Sequence, residues 1–171
     1  MSLSLYQTTV PVLVRSLTNL ATFLDKAATQ AAGKKVTPET IADARLILDM
    51  LPLKTQVAIA CDMAKLAVAR LSGVEAPKFE NTETTVEQLK TRIHNTIAYI
   101  QSVPASKFAG TETAPIKLEF PVRSFAFANG LDYVNQWVLP NVMFHVTTVY
   151  NILRSNGMDI GKMDFLGEIP Q

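Results

Sequence analysis

The sequence predicts an all-α protein, an antiparallel four-helix bundle with a small β-hairpin before the last long helix. Apolar residues recur at spacings of three and four in four segments of helical length. Period-two alternation is confined to one short stretch near residue 120. Apart from Pro11 and Pro140, glycines and prolines fall between or at the ends of these segments and separate them. Together these patterns describe long helices packed lengthwise, with one hairpin added late.

The first helix is expected from about Ser4 to Gln30, with Tyr6, Val10, Leu13, Leu17, Leu20 and Leu24 as its seam. Pro11 lies inside it and lacks the N–H owed to Gln7, so a kink there or a later start is expected. Gly33-Lys34-Lys35 ends the segment. Thr37-Pro38-Glu39 reads as an N-cap with proline at the first helical position, opening a short helix towards Met50. After Pro52, Leu53 to Leu71 is apolar almost all round, the pattern of a helix buried on several sides. Ser72-Gly73 closes it. A polar loop around Pro77 leads to Thr84 and Glu87, a capping-box spacing ahead of Val86, Leu89, Ile93, Ile97 and Ile100. This helix ends before Pro104. Ser102 to Pro115 reads as a loop, and Ile116–Phe120 with Ser124–Phe127 as the hairpin. Asn129-Gly130-Leu131-Asp132 caps the last long helix, which runs to about Arg154 and stops at Asn156-Gly157. The tail from Met158 to Gln171 is expected to fold back, because Met163, Phe165 and Leu166 would otherwise stay in water.

Composition narrows the function classes. At 171 residues, with 48% hydrophobic and 18% charged, one domain over residues 1–171 with a substantial core is expected. The formal charge of +1 carries no basic stripe, so nucleic acid is not an expected partner. Met1 to Val14 lacks a basic leader, and no apolar run reaches the roughly 18 residues of a membrane span. Cys61 is alone, which rules out an intramolecular disulfide and a cysteine-rich zinc cluster. A cytoplasmic soluble protein with no membrane partner is the class expected from all of this.

The most informative pair is Asn141 and His145. Residues four apart on a helix stack on one face, and the stripe Val134, Val138, Asn141, His145, Thr148, Ile152 sets two lone-pair-bearing side chains among apolar ones. A site and a satisfied polar core pair are both open readings. Asp62 and Lys65 are the only charges between Lys54 and Arg70, and an isolated buried carboxylate is costly. Asp62 therefore either pairs at the rim with Lys65 or with side groups of Lys54 to Ala58, or turns towards His145. Cys61, on the apolar helix, is expected to be inert, His94 to lie on the surface, and Asn19 to be structural.

Four stretches carry a family resemblance over essentially the whole chain. They are Ser4-Leu5-Tyr6 through Pro11, Gln56 to Lys65, Leu139-Pro140-Asn141 with Phe144-His145-Val146-Thr147-Thr148, and Gly161-Lys162-Met163-Asp164-Phe165-Leu166-Gly167. On these residues the chain resembles the DinB/YfiT-like superfamily, in a branch known only as a domain of unknown function. Proteins of this superfamily commonly hold a divalent metal through three histidines, one on the second helix and two spaced H-x3-H on the last. Some use it for thiol transfer or hydrolysis. The resemblance puts His145 at the second position of that pair and Asn141 in place of the first. The second helix has no histidine, so Asp62 is the nearest candidate ligand, with Gln56 or Cys61 as alternatives. A full three-histidine site is excluded.

Two functions follow as expectations. One is a degenerate metal site at His145, Asn141 and Asp62, holding a divalent ion weakly or not at all, in a small-ligand or hydrolase-like pocket around His145. The other is a non-catalytic homodimer, pairing through the first or last helix as superfamily members often do, in which Asn141 and His145 only set packing. Whether the chain is an enzyme stays open between them.

Overall fold

The computed structural model describes residues 4–169. Helix α1 spans Leu5–Ala32 and opens with a capping box in which Ser4 and Gln7 satisfy each other's backbone N–H groups. The helix runs through Pro11 without ending, so the later start is not what forms. Its buried face carries Val10, Leu13, Leu17, Leu20, Phe23 and Leu24, the expected seam with Phe23 added.

Helix α2, Pro38–Asp43, has the expected Thr37 cap but stops well short of Met50. The chain instead closes a loop from Ala44 to Leu53. The Arg45 guanidinium donates to the Met50 carbonyl, and the Leu53 N–H returns to the Ala44 carbonyl at 2.8 Å. Helical periodicity continues in the sequence here. The loop nonetheless forms, closed by these bonds, and leaves Ile47 and Leu48 facing water.

Helix α3, Leu53–Ser72, is buried on several sides as its composition predicts, and ends at Gly73 with φ of 71°. Helix α4, Val86–Ser102, starts from a capping box one residue later than expected, formed by Thr85 and Gln88. Both α1 and α3 pack on α4, and both also pack on the last long helix, which gives the antiparallel four-helix bundle. A short 3-10 turn, Ala105–Phe108, follows α4. Strands β1 (Ile116–Glu119) and β2 (Ser124–Phe127) then pair antiparallel, with Leu118 opposite Phe125.

The last long helix is not uniform. It begins as α5, Gly130–Tyr133, passes through a π-helical turn at Val134–Val138, and continues as α6, Leu139–Ser155. Pro140 lacks the N–H that an α-helix would direct back one turn, so the backbone widens just before it. The buried stripe differs from the expected one at Asn141 and His145. After Val134 and Val138 the core side is taken by Val142, Val146 and Val149, while Asn141 and His145 move to a half-buried edge. Four residues on from Val138, Val142 lies within about 40° of the same helix face, whereas Asn141 falls about 60° away, and Thr148 and Ile152 stay buried as expected.

The tail folds back as expected within the described residues, and Pro170 and Gln171 lie outside them. Met158 and Ile160 are buried, and α7 (Lys162–Leu166) lies along α1. Phe165 stacks on Phe23 at 6.2 Å, but Met163 stays exposed. Arg15 donates to the Leu166 and Glu168 carbonyls, and the Asn19 amide donates to the Phe165 carbonyl at 2.8 Å. Asn19 is thus structural, as expected.

Candidate functional site

Helices α3 and α6 run antiparallel, so positions whose numbers rise on one fall on the other. Gln56 meets His145 at one level of this seam, and Met63 and Trp137 share a cleft nearly two turns further along α3.

Gln56 is 2% exposed, and its carboxamide is fixed at both ends. Its Nε2 donates to the Leu51 carbonyl at 3.1 Å, which leaves Oε1 as an acceptor 2.7 Å from His145 Nδ1. An amide oxygen cannot donate, so Nδ1 carries the proton and Nε2 holds the free lone pair. Burial lowers the His145 pKa from its ordinary 6.5, which keeps the ring neutral. The exposed Phe144 ring stands edge-on to the imidazole at 5.2 Å.

Asn141, one turn before His145, donates from Nδ2 to the Trp137 carbonyl at 2.6 Å. That carbonyl belongs to the π-turn, where regular helical bonding is disturbed. The half-buried Asn141 therefore supports the irregular backbone that Pro140 imposes, and its Oδ1 is the atom left for other partners.

Asp62 is turned away from this pair. Its Oδ1 lies 3.0 Å from Arg92 Nη2 and 3.0 Å from Lys65 Nζ. The second-helix partner of His145 is Gln56, not Asp62. Six residues separate the two, which is about 240° around the helix axis, so they cannot share a face. Asp62 borders a polar hollow of about 260 Å3 shared with Lys54, Thr55, Glu83 and Thr84. Sequence reasoning missed the network behind it. Arg92, 3% exposed, also binds Glu83 at 2.9 Å, and Lys65 donates to the Pro77 carbonyl while sitting 4.2 Å above the Phe79 ring. These contacts tie the loop after α3 onto α3 and α4. Only the near-absence of charges on α3 hinted at them.

Cys61 is fully buried and burial pushes its thiol up to about 12, the inert state expected for it. His94 is on the surface. Among the described residues, no three His, Cys, Asp or Glu side chains group in a way that could hold a metal ion. No helix among them is long and apolar enough to cross a membrane.

Comparison with known proteins agrees with this architecture. The family model described as Domain of unknown function (DUF1993) matches residues 5–166. A crystal structure of a DinB family member protein from Shewanella denitrificans superposes with a TM-score of 0.88 at 38% identity, covering 98% of this chain and 94% of that one. No curated protein matches the chain. The α3–α6 seam, the late hairpin and the bundle around them therefore belong to a member of the DUF1993 family, a DinB-like domain of unknown function.

Proposed function

We propose that the chain binds a small ligand at the α3–α6 seam through a neutral His145, at the place where the superfamily's metal site would stand. The observation that carries this reading is the Gln56 carboxamide. Donating to Leu51 and accepting from Nδ1, it presets the ring with an Nε2 lone pair, able to accept a hydrogen bond from a ligand or to take a proton from water.

The donor set does not suit tight transition-metal binding. One imidazole nitrogen is a good zinc ligand but cannot hold the ion alone, the Asn141 amide oxygen is a weak neutral donor, and Asp62 is committed to Arg92 and Lys65. A degenerate site of this kind holds a divalent ion weakly at most. The test is the tautomer itself. Nitrogen chemical shifts of His145 at pH 7 should report Nδ1–H with a bare Nε2, and Zn2+ titration should move them only at high metal. An Nε2–H tautomer would place the lone pair against Gln56 and end the reading.

A second reading, a non-catalytic dimeric bundle with a structural Asn141–His145 pair, is supported by exposed apolar side chains around the same seam. Phe144 on α6 is 57% exposed, and Leu51 and Leu48 on the neighbouring loop are 48% and 93% exposed. Sedimentation of Phe144→Asp against the parent protein separates the two, since only a dimer through this face would dissociate.

A further inference from the structure

The hairpin builds a second feature at the other end of the seam. Phe125 lies 4.6 Å from Trp137, and Phe120 and Phe127 lie 6.3 Å and 6.2 Å from it. Four aromatic rings thus gather outside the bundle core, on the strand face that also buries Leu118. They do not close over. Phe120 remains 43% exposed, and with Met63, Phe125 and Trp137 it lines an open cleft of about 570 Å3. That size is typical of small-molecule sites, which are mostly apolar with a few polar groups to fix orientation.

Here the charged lining group is Arg123, in the turn between the strands. Its guanidinium lies 5.0 Å from the Phe125 ring centroid, over one aromatic wall. The nearby carboxylate of Glu119 is paired with Lys117 at 2.8 Å, so the turn presents positive charge to the cleft. The π-turn supports the same assignment independently. Widened helical turns recur at functional sites, and this one contains Trp137.

We infer that this cleft binds a small aryl-alkyl carboxylate, its ring held among Phe120, Phe125, Trp137 and Met63 and its carboxylate held by Arg123. The guanidinium fork pairs with a carboxylate while its face stays on Phe125. A cationic ligand of the same shape would meet Arg123 unfavourably. The site lies about 12 Å along α6 from His145, two helical turns, and does not depend on the His145 reading.

Trp137 is the chain's one tryptophan, so its fluorescence reports the cleft directly. The probes are 4-phenylbutyrate and its uncharged analogue 4-phenylbutyramide, titrated into the full chain to about 10 mM, a range suited to small fragments. The expected result is a saturable change with the acid bound roughly fivefold tighter than the amide. Arg123→Gln should equalise the two, and His145→Ala should leave both unchanged. Absence of a saturable response, or equal affinity for acid and amide in the parent protein, would overturn the inference. So would a lowered sedimentation coefficient for Val122→Asp, which would mark the cleft mouth as a contact between copies of the chain.

Discussion

Replacing His145 with alanine tests the central hydrogen bond of the seam. Gln56, 2% exposed in the parent protein, loses the 2.7 Å partner of its Oε1, so an acceptor in a buried setting is left unpaired. Such a loss costs about 1 to 3 kcal/mol. In a chain of 171 residues this lowers the melting temperature by about 2 to 12 °C, at roughly 2 to 4 °C per kcal/mol. Gln56→Leu removes the same bond from the other side together with the Nε2–Leu51 bond, leaving a half-buried ring and the Leu51 carbonyl without those partners, at a cost of about 1 to 3 kcal/mol. The double variant His145→Ala/Gln56→Leu removes both partners together. It should be more stable than the sum of the single effects implies, with a coupling of about 0.5 to 3 kcal/mol. Urea denaturation of the four proteins, followed by circular dichroism, gives the cycle. A coupling within about 0.3 kcal/mol of zero would refute the Gln56–His145 bond as a stabilising contact.

Three further outcomes are expected. Because burial lowers the folded-state pKa of His145 below its unfolded value of 6.5, the unfolded chain takes up the proton first, and stability should fall as pH drops below about 6.5 and level off below the folded-state pKa. Comparing the pH dependence of urea midpoints for the parent and His145→Ala checks this, since the variant should lack that contribution. Gly167→Ala should loosen the C-terminal strap, because φ there is +70° and a Cβ would stand 2.4 Å from Asn19 Oδ1. A cost of about 1 to 3 kcal/mol and faster amide exchange across α7 are expected, and unchanged exchange would contradict it. Cys61 should resist a thiol reagent at pH 8 until the protein unfolds, its thiol being pushed up to about 12; labelling of the native protein at the rate of a free thiol would show that the helix opens.

Spacing and punctuation alone determined the four long helices, the hairpin and the fold-back of the tail. Apolar repeats at three and four decide which face each helix buries, and glycine, proline and capping residues decide where helices end. Thr37, Asn129 and Gly73 act as local geometry requires, whatever surrounds them. Local rules failed where another bond competed. Helix α2 stops at Asp43, where the chain instead closes a loop through the Leu53–Ala44 and Arg45–Met50 bonds, and the α4 capping box forms at Thr85 because Gln88 reaches back there. The candidate site divides in the same way. Asn141 and His145 were legible as a polar pair, since their spacing is a property of one helix. Their partners were not, because these depend on the rotation of α3 and on the phase of α6. The phase of α6 placed His145 at the seam instead of in the core, and packing turned Gln56 towards it while Arg92 drew Asp62 to the opposite side. The imidazole finds its amide and the carboxylate its cation on another helix, so both outcomes were decided only when the helices came together.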